Sequence, residues 1–218
     1  MMERRTRLLS CGIAAGPVYI ALGAIQIAIR PGFDITRHAL SLLSNGDLGW
    51  IQISNFLITG ALLIAGAVGL QRSLHSASGR KWAPRMLVLY GVGLICAGVF
   101  RADPALGFPP GTPLDHNPMS WHGQMHFVAG AVGFTGLIAS CFIFSNRFRA
   151  LGQTGWSLYS LITGIVFLTA FLGVASGSRG LAILYFSLAV VLSFVWLSGI
   201  FRHFAGSGSA TSPAISPG

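Results

Sequence analysis

The sequence predicts an all-α membrane bundle of six transmembrane helices, and three observations carry that prediction. Hydrophobic residues make up 53% of the chain and charged residues only 9%, where a soluble domain carries roughly 25%. Six apolar runs divide the 218 residues, each near the roughly 20 residues that a helix needs to cross the hydrocarbon layer. Between the third and fourth runs, Arg101 to His126 holds five of the ten prolines (Pro104, Pro109, Pro110, Pro113 and Pro118). Proline fixes φ and removes a donor, so this stretch is read as a Pro-rich outer loop.

The formal charge of +9 and pI near 10.8 would suit nucleic acid, but the basic residues sit at the ends of apolar runs. That is where topogenic charge meets lipid headgroups, so no nucleic-acid partner is expected and the bilayer is the partner. The mean hydropathy of +0.69 agrees. Cys11, Cys96 and Cys141 all lie inside apolar runs, which reads as small packing residues rather than disulfides or metal ligands.

The first span is expected over about 8–29. A basic start, MMERRTR, precedes it, but the run is too long for a cleaved signal and is read as a retained helix. Gly12 and Gly16 form a GxxxG pair suited to close helix approach. Arg30-Pro31-Gly32 ends the span. In Asp34 to Gly46, the residues Asp34, His38, Ser41 and Asn45 recur at helical spacing, which predicts a short interfacial helix with a polar stripe turned to the bundle mouth. Trp50 is an aromatic anchor at the boundary.

The second span, about 51–70, has Gln52, Ser54 and Asn55 in its first turns; buried amides need partners, so they should face the bundle. The third span, about 83–100, has Pro84 in its first turn. The fourth, about 122–144, carries Gly130, Gly133 and Gly136 as a close-packing face. The fifth and sixth cover about 155–175 and 181–201. The remainder, 202–218, is a polar Gly/Ser/Pro tail expected to be disordered and cytoplasmic.

With six spans, ten of the fourteen basic residues fall on the side of the N-terminus, the second and fourth links and the tail. Arg30, Arg37, Arg101 and Arg179 fall on the other. The positive-inside rule then places both termini in the cytoplasm of a multi-pass inner-membrane protein, with the two long polar loops outside.

On that outer side gather Asp34, His38, Asp47, Asp103, Asp115, His116, His122 and His126, whereas His75 and His203 lie opposite in basic surroundings. A ligand vestibule is expected from His38, Ser41, Ser44, Trp50, Asn55, Asp103, His122 and His126, since ionisable groups at the membrane edge need partners. His122 and His126, four apart, project from one helical face. With Asp103, or His38, they would make a zinc site. The glutamate of an HExxH motif is absent, because Gly123, Gln124 and Met125 intervene. The competing reading is that the histidines bond loop carbonyls and cap the bundle. Asp103 would then close the turn after Arg101 and pair with that arginine. The sequence has no GxSxG elbow and no phosphate loop. Catalytic residues are unassigned, with Asp103, His122 and His126 as candidates; neither a metal nor any other cofactor is assigned.

The strings RHALSLLSNGDLGWIQISNF, FRADPALGFPPGTP and WHGQMHFVAG resemble the prokaryotic membrane family described as domain of unknown function 998, over about 8–201. The resemblance implies a polytopic inner-membrane protein of a family with no assigned activity. HGQMH is also similar to the HxxxH of the membrane hydrolases that include alkaline ceramidases and adiponectin-type receptors. Those use a Ser, an Asp and three His around zinc and are expected to have seven spans; here the pair opens the fourth of six. Two functions are therefore weighed. The first is a non-catalytic protein binding a small or lipidic ligand, or a membrane partner, through the vestibule. The alternative is a metal-dependent membrane lipid hydrolase using His122, His126 and Asp103, with zinc as the possible metal.

Overall fold

The computed structural model describes residues 2–74, 81–114 and 118–206. Among them lie six α-helices: α1 (Met2–Ile29), α2 (Gly49–Ser73), α3 (Trp82–Val99), α4 (Trp121–Ala150), α5 (Thr154–Ala175) and α6 (Leu181–Gly206). Each is long and apolar enough to cross a membrane. The chain is a multi-pass membrane protein. The described residues include no β-strand, only an isolated bridge between Ala105 and Phe108. Tail residues 207–218 lie outside the described region, and so do His75, Asp115 and His116.

Several helices run further than the apolar runs. Helix α1 begins at Met2, and its first turns hold an exposed Arg7–Glu3 pair one turn apart. Helix α4 continues through Arg147 and Arg149 to Ala150, because no breaker appears before Gly152 (φ +69°) and cations suit a helix C-terminus. The expected link after the fourth span thus shrinks to 151–153. Helix α6 likewise carries residues 202–206, so the tail does not begin at 202.

Each helix packs on its chain neighbours, and α1 closes the ring against α6. Glycine sets the closest approaches. A Cβ on Gly12 would lie 2.5 Å from the Phe201 ring, and one on Gly16 would meet Phe194 O at 2.5 Å. The GxxxG pair is therefore the α1–α6 contact, and α2 also reaches it through Gly66. Gly133 and Gly136 seat α4 on α3, facing Gly93 and Met86 O, whereas Gly130 meets only Phe134 at 3.5 Å. Large side chains such as Ile58, Val132, Ile162 and Val195 point outward, as lipid contact requires. Trp50, Trp82 and Trp121 are exposed at helix ends, where indole suits the membrane interface.

Buried polar groups pair between α1 and α2 and along α2 itself. Gln26 Nε2 donates to Gln52 Oε1 at 2.8 Å, Asn55 Nδ2 to Tyr19 O at 3.2 Å, and Thr59 Oγ1 to Asn55 Oδ1 at 3.2 Å. All four side chains are buried. The amides of the second span thus face the bundle, as their cost in lipid demands. In the half of the bundle that holds the N-terminus, Phe144, Phe148, Trp196 and Phe204 pack into an aromatic core. Trp196 Nε1 donates to Ser160 Oγ at 3.0 Å, tying α6 to α5. The opposite half is not filled in this way.

Candidate functional site

Two loops cover that opposite half. The first, residues 30–48, contains a 3-10 helix over Leu40–Ser44 instead of an α-helix from Asp34 to Gly46. Leu40, Leu42, Leu43, Ser44 and Asn45 are all buried. The segment is wedged into the bundle mouth and does not lie on the surface, so the 3.6-residue spacing of its polar stripe does not hold. Asp34 begins it: Thr36 N and Thr36 Oγ1 donate to Asp34 Oδ1 at 2.9 and 2.7 Å. These bonds hold the Asp34 carboxyl below the usual aspartate range.

The second loop, between α3 and α4, turns back at Leu106 and Gly107. Both have positive φ (56° and 85°), with Ala105 and Phe108 exchanging backbone hydrogen bonds at 3.1 and 3.0 Å. That pairing is the signature of a tight hairpin turn.

His38 and Arg30 lock the loops together. His38 Nδ1 accepts from Asp34 N at 2.9 Å, and its Nε2 donates to Leu106 O at 3.0 Å. Those partners assign the neutral Nε2–H tautomer. Arg30 is 7% exposed; it donates to Leu43 O at 2.9 Å and to Asn45 O. Its guanidinium lies 5.0 Å from the centre of the Phe108 ring. Phe108 is fully buried and also packs edge-on against Phe33. Burial pulls the Arg30 pKa down from the ordinary arginine value.

The loops meet α4 through Asp103. Its carboxylate accepts from Ser120 N at 2.7 Å and from Ser120 Oγ at 2.5 Å, and Ser120 Oγ in turn accepts from Gly123 N at 3.1 Å. Asp103 therefore sits over the N-terminus of α4 as the acid in an extended N-cap, and not in a pair with Arg101. Gly123 leaves it room: a Cβ there would lie 2.2 Å from Asp103 Oδ2. One turn on, His126 Nδ1 donates to Ala97 O at 3.1 Å and Phe100 O at 2.8 Å, satisfying the C-terminal carbonyls of α3. His122 turns outward; it is exposed and packs tilted against Trp121 with ring centres 3.7 Å apart.

The three candidate zinc ligands are thus not brought together. Among the described residues no group of three His, Cys, Asp or Glu side chains is placed to hold a metal ion.

Under the loops, walled mainly by α3, α4, α5 and α6 and reached by Tyr19 of α1 and Phe56 of α2, lies an apolar cavity of about 350 Å³. Arg37, Ser41 and Asp103 stand at its mouth, and Tyr19, Tyr90, Phe134 and Val190 line its depth. Of the expected vestibule residues, Ser41, Asp103 and His126 line it. The others are placed differently. His38 and Ser44 are spent within the loops, Ser44 Oγ donating to Ser41 O at 2.7 Å. Asn55 belongs to the α1–α2 amide ladder, Trp50 faces outward, and His122 packs against its neighbour.

The family model described as protein of unknown function (DUF998) matches residues 13–203. The chain belongs to the DUF998 family. No curated protein and no solved structure matches it. In this DUF998 chain the most specific strings of the sequence fall on the loop interlock, the Asp103 cap and the His126 contact. Sequence reasoning missed Arg30 and Phe108, which read as a helix stop and one aromatic among fifteen. It also missed Ser187, a buried residue of α6 that lines the cavity. The signal for Arg30 was a cation directly after an apolar span, with no acid beside it.

Proposed function

We propose that this DUF998 protein lies in a prokaryotic cytoplasmic membrane with both termini in the cytoplasm. Its outer cavity holds the hydrocarbon part of an amphipathic, lipid-like molecule without reacting with it. The observation that carries this reading is the shape and chemistry of the cavity. From the outer ends of their helices, Tyr19, Tyr90 and Val190 lie nine or ten residues in, which is about 14–15 Å at 1.5 Å per residue. That matches half of the roughly 30 Å hydrocarbon layer. A volume near 350 Å³ is at the low end of ligand sites, about 300–1,000 Å³, and suits one chain rather than two. Arg37, Ser41 and Asp103 at the mouth give a polar head something to meet. Binding without catalysis is supported by the hydrogen bonds that already occupy His126 and Asp103.

The test uses cis-parinaric acid, a fluorescent polyene fatty acid, titrated into purified protein. Gly130 lines the cavity, and a Cβ there meets only the edge of Phe134 at 3.5 Å. Gly130→Leu should therefore cut binding at least tenfold without lowering the melting temperature. Undiminished binding in that variant, or none in the wild type, would defeat the reading. Orientation is tested with an impermeant thiol reagent on intact cells. A cysteine at exposed Leu114 should label, and one at exposed Gln153 should not; the reverse pattern would invert the topology.

A further inference from the structure

One wall of the cavity carries a hydroxyl with no partner. Helix α6 turns Ile183, Phe186, Ser187 and Val190 to the cavity, residues spaced three and four apart on one helical face. Ser187 is 1% exposed, and its Oγ makes no hydrogen bond. Other buried hydroxyls of the spans avoid this. Ser140, Ser160, Thr163 and Ser193 each donate to a carbonyl three or four residues back, at 2.7–2.8 Å. Ser187 does not close that local bond, although the same backbone carbonyls run beside it. A buried hydroxyl left open costs free energy, and inside a membrane there is no bulk water to satisfy it. Around it the wall is aromatic, with Phe134 edge-on to Phe171 and Phe186 at 5.3 and 5.6 Å.

We propose that the occupant of the cavity bears an oxygen within its hydrocarbon part, a hydroxyl or a carbonyl, and that Ser187 binds it. The ligand is then an oxygenated single-chain amphipath and not a plain acyl chain. This rests on the lipid-binding reading above and narrows it. Ser187 lies six residues into α6, about 9 Å below the outer helix end. The oxygen therefore belongs at mid-chain, well away from the headgroup. A hydroxyl on the ligand can both donate to and accept from Ser187, and a carbonyl can accept.

The experiment is competition against cis-parinaric acid in purified protein. The competitors are stearate and hydroxystearate isomers with the hydroxyl near the carboxylate, at mid-chain and at the chain end. The mid-chain isomer should outcompete stearate by several-fold, up to about tenfold, the worth of one hydrogen bond in a site built for it. Ser187→Ala should erase that advantage without weakening stearate, since a methyl suits a plain hydrocarbon chain at least as well as a hydroxyl. It should also hold or raise the melting temperature of the ligand-free protein, because it removes an unsatisfied buried group. Equal competition by all isomers, or a mid-chain preference that survives Ser187→Ala, would overturn the proposal while the lipid-binding reading stood. Failure of cis-parinaric acid to bind at all would remove both.

Discussion

The Ser198 hydroxyl donates to the Ile13 carbonyl at 2.9 Å. Ile13 is the residue whose carbonyl a helix would normally offer to the N–H four residues on, and that residue is Pro17, inside α1. Proline has no N–H, so the carbonyl would be orphaned in lipid if α6 did not supply a donor. Ser198→Ala should then destabilise the protein by about 1 kcal/mol, the scale of an interhelical hydrogen bond in a membrane. In a Pro17→Ala background the same change should cost clearly less, because α1 can satisfy its own carbonyl. Thermal melts of the four proteins form a double-mutant cycle, and strict additivity would show that the two residues are not coupled.

Asp103 and Gly123 should show a similar dependence. Gly123→Ala places a methyl where the Asp103 carboxylate sits, so the carboxylate must leave Ser120 and the cap is lost. A cost of about 1–2 kcal/mol is expected, close to that of Asp103→Ala itself. Once Asp103 is alanine, Gly123→Ala should turn favourable by up to about 1 kcal/mol, since alanine is the better helix former. The sign change between the two backgrounds is the measurement to make. A Gly123→Ala penalty that persisted without the carboxylate would point to some other clash.

The spans were legible because one solvent imposes one pattern: runs such as those within α2 and α6 must be predominantly apolar over about 20 residues to cross lipid. Gly12 and Gly16 were legible for a related reason, since close helix approach in a membrane needs small residues. The ends of α1, α4 and α6 were not. Charges at Arg4, Arg147 and Arg202 leave hydropathy but not helicity, and only a breaker such as Gly152 ends the hydrogen-bond ladder. The site was legible in part. Asp103 and His126 were singled out from their position at the membrane edge, and both line the cavity. His122 was drawn in by a four-residue spacing that says two rings lie near one face and nothing about what they face. Asn55 and His38 were polar and near the mouth, yet each is consumed by a partner far away in sequence, Tyr19 O and Leu106 O. Such pairings leave no local trace.

Arg30 should be the most sensitive position of the loop interlock. Arg30→Met leaves the Leu43 and Asn45 carbonyls without their donor in a buried setting, at a cost of about 3 kcal/mol for two hydrogen bonds to a charged group. Arg30→Lys should recover only part of this, because an ammonium lacks the planar fork and packs less well over Phe108. Cavity residues such as Leu40, Leu42 and Leu106 belong to the same two loops. Both variants should therefore raise the off-rate of cis-parinaric acid as well as lower the melting temperature. Wild-type stability in Arg30→Met would mean that the loops are held by other contacts.

His126 separates the structural reading of the candidate site from a metal centre. The nitrogen it uses is Nδ1, the one nearer the backbone, and both of its partners are carbonyls of the α3 C-terminus. Asparagine places an amide N–H at nearly the same distance from the backbone, while glutamine reaches one bond further, to the position of Nε2. His126→Asn should thus keep most of the α3 cap, and His126→Leu should lose about 1–3 kcal/mol by leaving buried carbonyls unpaired. His126→Gln should fall between them. Zinc makes the opposite demand, because a ligand nitrogen must offer a lone pair and not a proton, and coordination would require Nδ1 to abandon Ala97 and Phe100 or the ring to bind through Nε2. Melting curves of wild type, His126→Asn and Asp103→Ala should accordingly be unmoved by zinc or by a chelator. A zinc-dependent rise in the wild type that vanished in both variants would mean that metal binding contributes to folding, and that His126 and Asp103 act as ligands and not as caps.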